Sequence, residues 1–306
     1  MICQSIVRII ASVAGVISYR GRLLIGILLV NLHVHAGFGA TTIHPENAYA
    51  YGGNVGWLNL RGDVTQGASL GLFFSTGFIW SPQVGWILLG SGTPSNGWHY
   101  TNDSVSDWGV NHDGEGGLTG FAYGSNIGWL NFGHGISGYE PRVDLGTGVL
   151  SGYVWGANIG WISLSNSFVS VQTEVLASGA DSTVAGVPVA WVAMKQDDIA
   201  DLSDDQIRQY YAWDENPTSP TTARISHITP VDSDGVDGIA IAWSARSTRL
   251  YKVEMSGDIM NRDAWEDAGF GLLGGVNGLL TQPIPIQGVS RTYFRIRPVV
   301  PLADFR

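Results

Sequence analysis

Four near-copies of one phrase dominate this chain: AYAYGGNVGWLNL at 48–60, GFIWSPQVGWILL at 77–89, GFAYGSNIGWLNF at 120–132 and GYVWGANIGWISL at 152–164. Their Gly-Trp pairs, Gly56-Trp57, Gly85-Trp86, Gly128-Trp129 and Gly160-Trp161, are spaced by 29, 43 and 32 residues. Internal repetition at this period makes the repeat, and not the whole chain, the unit of architecture. It bears on function too. Catalytic sites are seldom built in four near-copies, whereas binding surfaces and scaffolds often are.

Each repeat reads as a β-hairpin. A tight turn lies inside every copy, at Gly52-Gly53-Asn54, Ser81-Pro82-Gln83, Gly124-Ser125-Asn126 and Gly156-Ala157-Asn158. Asn tolerates left-handed geometry, and Pro82 presets φ for the odd copy. Short alternating strands follow, as in Trp161-Ile162-Ser163-Leu164. Further hairpins are expected upstream, with Trp108–Asn111 returning through 113–117 to Leu118–Tyr123, and Arg142–Leu145 returning through 146–148 to Val149–Trp155. The fold class is therefore all-β, the four aromatic hairpins forming a continuous sheet, a barrel or a short solenoid.

The rings Tyr51, Trp80, Tyr123 and Trp155 stand six residues before Trp57, Trp86, Trp129 and Trp161, across the tight turn. Pairing within each repeat is expected. Two destinies are open to these eight rings: a repeating aromatic core, the ordinary way to hold a repeat protein together, or an exposed row for stacking on sugars. Burial is the expectation. Glycine before each Trp allows either a flat-lying ring or a bulge that re-aims the side chain.

At the start of the chain, Arg20 and Arg22 precede the apolar run Leu23–Val30 and a small-residue exit at Val34-His35-Ala36. This fits a secretory signal over 1–36, too short for a comfortable membrane span, with an uncleaved anchor as the alternative. The one cysteine, Cys3, lies inside it, so an exported chain has neither disulfides nor thiolate metal sites. A formal net charge of −10 without clustered Lys or Arg excludes nucleic acid and anionic membrane as partners.

After Asn166 the phrase stops. Residues 41–173 form the repeat domain, and 174–221 read as an acidic linker with a short helix over Leu202–Trp213, where Ile207, Tyr210 and Tyr211 share one helical face. Alternation returns in Ile225–Ile228, Ile239–Trp243, Leu250–Glu254, Leu279–Ile286 and Tyr293–Ile296. That is the signature of a small β-sandwich over 222–300, with Trp243, Tyr251 and Tyr293 as its core aromatics.

The span from about 44 to 173 resembles a group of bacterial secreted proteins built on YAWGANIGWIN-type repeats. The likeness is carried by 54–63, Gly92–Gly97, Gly109–Gly114 and Ile159–Asn166. It implies a class and no particular chemistry. The stretch 180–191, with 203–217, resembles the calcium-binding, thrombospondin-type-3-like spacer of exported proteins, although most of its alternating carboxylates are missing here. Calcium needs six to eight oxygens, and Asp181 alone in the first loop cannot supply them. Asp197, Asp198, Asp201, Asp204 and Asp205 could hold one weak calcium ion, against the alternative of a solvated acidic helix start. No other cofactor is implied. The final part, with Leu250–Ser256 and Ala264-Trp265, is similar to fibronectin-III-like end modules.

Catalytic signatures are sparse. His44, His99, His112, His134 and His227 form no HExxH or His-x-His pattern. Asp107, Asp113, Glu115 and Asp144 are the candidates for a glycosidase pair, but they fall in turns and hairpin edges. The reading is a non-enzymatic structural or adhesive protein, secreted or at the cell surface, whose partners are other surface proteins or polysaccharide. The mature chain is not expected to insert into a membrane. A carbohydrate-binding module using the eight repeat rings is the alternative, and a glycan hydrolase a distant third.

Overall fold

Each repeat carries its own turn, which is why each closes locally. Val55 N–H donates to the Gly52 carbonyl at 3.2 Å, Ile127 to Gly124 at 3.1 Å and Ile159 to Gly156 at 3.2 Å. The glycine that follows takes positive φ, +70° at Gly56, +81° at Gly85, +76° at Gly128 and +78° at Gly160. A type I turn completed by a left-handed residue is a three-residue hairpin loop with a glycine bulge. The computed structural model describes residues 40–134, 136–177, 183–216, 225–233, 236–285 and 292–302. The expected leader lies outside the described residues.

The four hairpins are β1 (Ile43–Gly52) with β2 (Gly56–Asn59), β3 (Phe78–Ser81) with β4 (Gly85–Leu88), β5 (Leu118–Gly124) with β6 (Gly128–Asn131), and β7 (Tyr153–Gly156) with β8 (Gly160–Ser163). Neighbouring hairpins pair in chain order, and β8 returns to β1, so the sheet closes into an eight-stranded antiparallel barrel. Within hairpins Tyr51 faces Trp57, Trp80 faces Trp86, Tyr123 faces Trp129 and Trp155 faces Trp161. Between hairpins Asn59 faces Trp80, Leu88 faces Tyr123, Asn131 faces Trp155 and Ser163 faces Tyr51. Each junction thus advances the register by two residues. Four such steps around eight strands correspond to a shear of about eight and a strand tilt of about 36°.

An eight-stranded barrel is only just wide enough for side chains to fill. Its inner layer is Ala50 opposite Leu58, Ile79 opposite Ile87, Ala122 opposite Leu130 and Val154 opposite Ile162, all buried. Val55, Val84, Ile127 and Ile159 plug the turn end. The other end is covered by Leu70, Val110 and Leu150 from connecting segments and by Leu118 at the start of β5, leaving an apolar cavity of about 30 Å³. The expected aromatic core is overturned: Trp57, Trp86 and Trp129 are 46%, 42% and 46% exposed. Strand alternation explains this, because leucine and isoleucine take the narrow interior and the residues between them point outward.

β9 (Ser170–Thr173) extends the sheet along β1. The stretch expected to be a linker with one short helix holds two, α1 (Val189–Ile199) and α2 (Asp204–Trp213). Their buried Ala190, Trp191, Ile207, Tyr210 and Tyr211 belong to the same apolar core as the barrel. Helix α2 begins with a capping box between Ser203 and Gln206. The strands that follow α2 among the described residues are β10 (Ile225–Ser233), β11 (Val236–Ala245), β12 (Leu250–Ser256), β13 (Glu266–Gly274), β14 (Gly278–Pro285) and β15 (Tyr293–Val299). They form two three-stranded sheets, β10-β11-β14 and β13-β12-β15. Trp243 and Tyr251 are fully buried between them with Ile241, Val253, Ile284 and Ile296, while Tyr293 is only half-buried.

Candidate functional site

The left-handed glycine sets the site. Directly after it the strand resumes with its Trp pointing away from the barrel axis, beside the ring directly opposite in the ladder. Ring centroids are 5.4 Å apart for Tyr51–Trp57, 4.7 Å for Trp80–Trp86, 4.9 Å for Tyr123–Trp129 and 4.7 Å for Trp155–Trp161. All eight rings singled out in the sequence therefore lie on the outer wall in four pairs. In the ladder, Asn59, Leu88, Asn131 and Ser163 separate one pair from the next. Four more rings escaped the sequence reading. Tyr49, Phe78, Phe121 and Tyr153 stand two residues ahead of the first ring of each pair and pack edge-on against the same Trp. Period-two alternation was the signal that could have found them.

Among the described residues, three pairs receive a further ring from a connecting segment. Phe168 packs on Tyr51 at 6.1 Å, Trp108 on Trp129 at 4.9 Å, and His134 lies nearly parallel to Trp161 at 6.0 Å with an interplanar angle of 15°. No sequence signal marked these three residues as a set, since they come from segments of unequal length.

At the turn end the hairpins are tied side to side. Asn54 Nδ2 donates to the Ile159 carbonyl, Asn158 to Ile127 and Asn126 to Val84, each at 3.0 Å. Gln83, which stands where the other copies have Asn, lies against Gly56. The eight rings are thus carried on a wall whose hairpins are tied together at one end.

The carboxylates considered for catalysis hold loops together. Asp107 is buried and accepts from Ser95 N and Oγ and from Thr101 N and Oγ1. Burial works to raise its pKa, but these hydrogen bonds prevail and hold it below the usual carboxylate value. Asp113 accepts from the Glu115 and Gly117 amides, and Asp144 from those of Gly146 and Thr147. Glu115 faces the sandwich, taking a bond from Asn277 Nδ2 at 3.3 Å. His112 is buried, with Nδ1 on the Leu72 carbonyl and Nε2 accepting from Gly116 N.

The acidic residues considered for calcium are not drawn together either. Asp198 bonds Tyr210 Oη at 3.2 Å and sits 3.8 Å from Lys195, while Asp205 pairs with Arg208. Among the described residues no group of three or more His, Cys, Asp or Glu is gathered for a metal ion. Asp181 lies outside the described residues.

No family model, no curated protein and no solved structure matches this chain.

Proposed function

We propose that this is an exported, non-enzymatic adhesive protein whose barrel binds polysaccharide through its outward aromatic pairs. One observation carries the reading: a third or more of each of Trp57, Trp86 and Trp129 faces solvent, at equivalent places around one closed wall. Exposed indoles in this number are the mark of an interaction surface, and a planar ring beside polar groups suits the apolar face of a sugar. Three such places on one molecule would bind a polymer with an avidity that no single place reaches. The scaffold role first expected rested on buried Trp and loses that support.

Other partners fit less well. Six of the eight barrel strands have four residues, a rise of roughly 13 Å, against about 30 Å of membrane hydrocarbon. Among the described residues no helix is long and apolar enough to cross a membrane. Hydrolysis would need two facing carboxylates in a cleft, whereas Asp107, Asp113 and Asp144 hold loop backbone and Glu115, in the same turn as Asp113, bonds Asn277. Export accords with the leader-like start and with the lack of cysteine after Cys3.

The test is tryptophan quenching by acrylamide, with and without a panel of soluble polysaccharides. The expected result is strong quenching that at least one polysaccharide relieves. Fluorescence that no polysaccharide alters would sink the reading.

A further inference from the structure

The four hairpins present different surfaces, and β1 is where the repetition breaks. β9 pairs along β1, Ser170 facing Tyr49 and Val171 facing Ala48, so the first hairpin gains a third strand. Val171 and Thr173 are buried, and alternation therefore sends Ser170 and Gln172 outward beside Tyr49 and Asn47. Hydrogen bonds orient the amides on this wall. Asn47 Nδ2 donates to Gln172 Oε1 at 2.7 Å, Gln172 Nε2 to the Thr147 carbonyl at 2.7 Å, and Asn59 Nδ2 to Tyr49 Oη at 3.4 Å.

Exposure sets the same wall apart. Tyr49 is 43% exposed, Trp57 46% and Phe168 67%, and ring contacts run from Tyr49 through Trp57 and Tyr51 to Phe168. Asn166 Oδ1 accepts from the Phe168 and Val169 amides at 3.0 and 3.1 Å, fixing the turn that presents Phe168. The counterparts of Tyr49, namely Phe78, Phe121 and Tyr153, are half-buried. The second and third walls expose Trp86 and Trp129, and on the fourth Tyr139 and His134 are exposed while Trp161 is half-buried. Among the described residues no other wall exposes three rings.

Resting on the glycan-binding reading above, we propose that the wall of β9, β1 and β2 is the primary site for a neutral polysaccharide. Tyr49, Trp57 and Phe168 stack on the apolar faces of successive sugars, and Asn47, Asn59 and Gln172 bond their hydroxyls. None of these six side chains is charged, so nothing here matches an ionised sugar. Residues 41–177 carry two basic side chains against nine acidic ones, a balance that repels anionic polymers at long range. The other walls contribute contacts of lower affinity. Repetition builds the barrel, and the strand that follows the last repeat marks which wall binds.

The experiment is affinity electrophoresis of the full chain through gels containing dextran, pullulan, laminarin, mannan, galactomannan or arabinoxylan, with alginate as the anionic comparison. A neutral polysaccharide that retards the parent protein is the expected result. Trp57→Ala and Phe168→Ala should then weaken retardation by about fivefold or more, and Trp86→Ala or Trp129→Ala by less than about twofold. Trp57→Phe keeps a stacking ring but removes the indole that reports on it. This variant should stay retarded to within about threefold of the parent. It should also lose most of the protection from acrylamide quenching that the polysaccharide gives the parent, a separation that misfolding does not produce. Equal losses at Trp57, Trp86 and Trp129, a silent Phe168→Ala, or protection that survives Trp57→Phe would overturn the assignment to this wall and leave glycan binding standing. Retardation by alginate alone would overturn the neutral ligand. A parent protein retarded by none of the gels would instead overturn the glycan reading itself, and this site with it.

Discussion

Two glycines in one turn, Gly53 and Gly56, do different work. Gly56 and its counterparts Gly85, Gly128 and Gly160 hold positive φ, where a Cβ meets the following carbonyl. Gly128→Ala should therefore cost about 1–2 kcal/mol, read as a lower denaturant midpoint. Gly53 has ordinary φ and nothing within 4 Å of a built Cβ. Gly53→Ala should be neutral or stabilise by up to about 1 kcal/mol through the unfolded chain. Equal losses at both positions would show that the bulge is not the cause. His112 gives a pH prediction. Burial holds its imidazole below the ordinary 6.5, against the opposing pull of Asp113 and of the Leu72 and Gly71 carbonyls. The unfolded chain then binds a proton that the folded one refuses, so this contribution is complete above about pH 6.5 and is lost as pH falls below it, by at most about 1.4 kcal/mol per unit. Melting temperatures between pH 7.5 and 5 should fall, and His112→Asn should flatten that slope. At this scale the sequence disclosed the pairing of the rings but not their side. Alternation separates two faces, and both faces of these strands are apolar enough to be read as core.

Elements were legible where their signals are local. The stripe Ile207, Tyr210 and Tyr211 announced α2, and five of the six sandwich strands announced themselves by alternation. Helix α1 did not, since it follows Pro188 with no side-chain cap and no acidic residue in its first turn. Strand β13 has the run Glu-Asp-Ala-Gly-Phe-Gly-Leu-Leu-Gly, in which three glycines obscure alternation. What no local signal reveals is how α2 meets the sandwich. Arg249, buried just ahead of β12, donates to the Tyr211 and Ala212 carbonyls at the last turn of α2 and lies 5.4 Å from the Tyr211 ring. A cation at a helix C-terminus is well placed electrostatically. Burial lowers the Arg249 pKa, opposed by Asp214, and raises that of Tyr211 to about 12. Arg249→Met leaves those carbonyls without their donor, at a cost of about 1–3 kcal/mol. Because the sandwich core is a cluster of its own, calorimetry should show its transition separating from that of the barrel in this variant. A single unshifted transition would count against Arg249 as the link.

For the molecule as a whole, closure depends on β1. This strand pairs with β2, β8 and β9, and so joins the first hairpin to the last. A chain beginning at residue 53 keeps every other hairpin but has two open edges, and it should lose cooperative unfolding and aggregate through them. Cooperative melting of that chain would mean that the remaining strands suffice. A period of 29 to 43 residues suited sheet, solenoid and barrel alike. Nothing local distinguishes them, because the choice lies in whether the last strand finds the first.

The ties between turns carry a consequence of their own. Asn158 reaches back to the third hairpin, Asn126 to the second, and Asn54 of the first reaches to the fourth, while Gln83 of the second lies against Gly56 of the first and completes the ring. Such a cycle has neither a beginning nor an end, and its membership is a whole number dictated by circumference. A solenoid can grow by one copy and stay the same in cross-section. Here a fifth copy would make ten strands around a lumen that leucine and isoleucine no longer fill. Evolution of this architecture is therefore free in the lengths between copies, as the 43-residue step shows, and closed to change in their number.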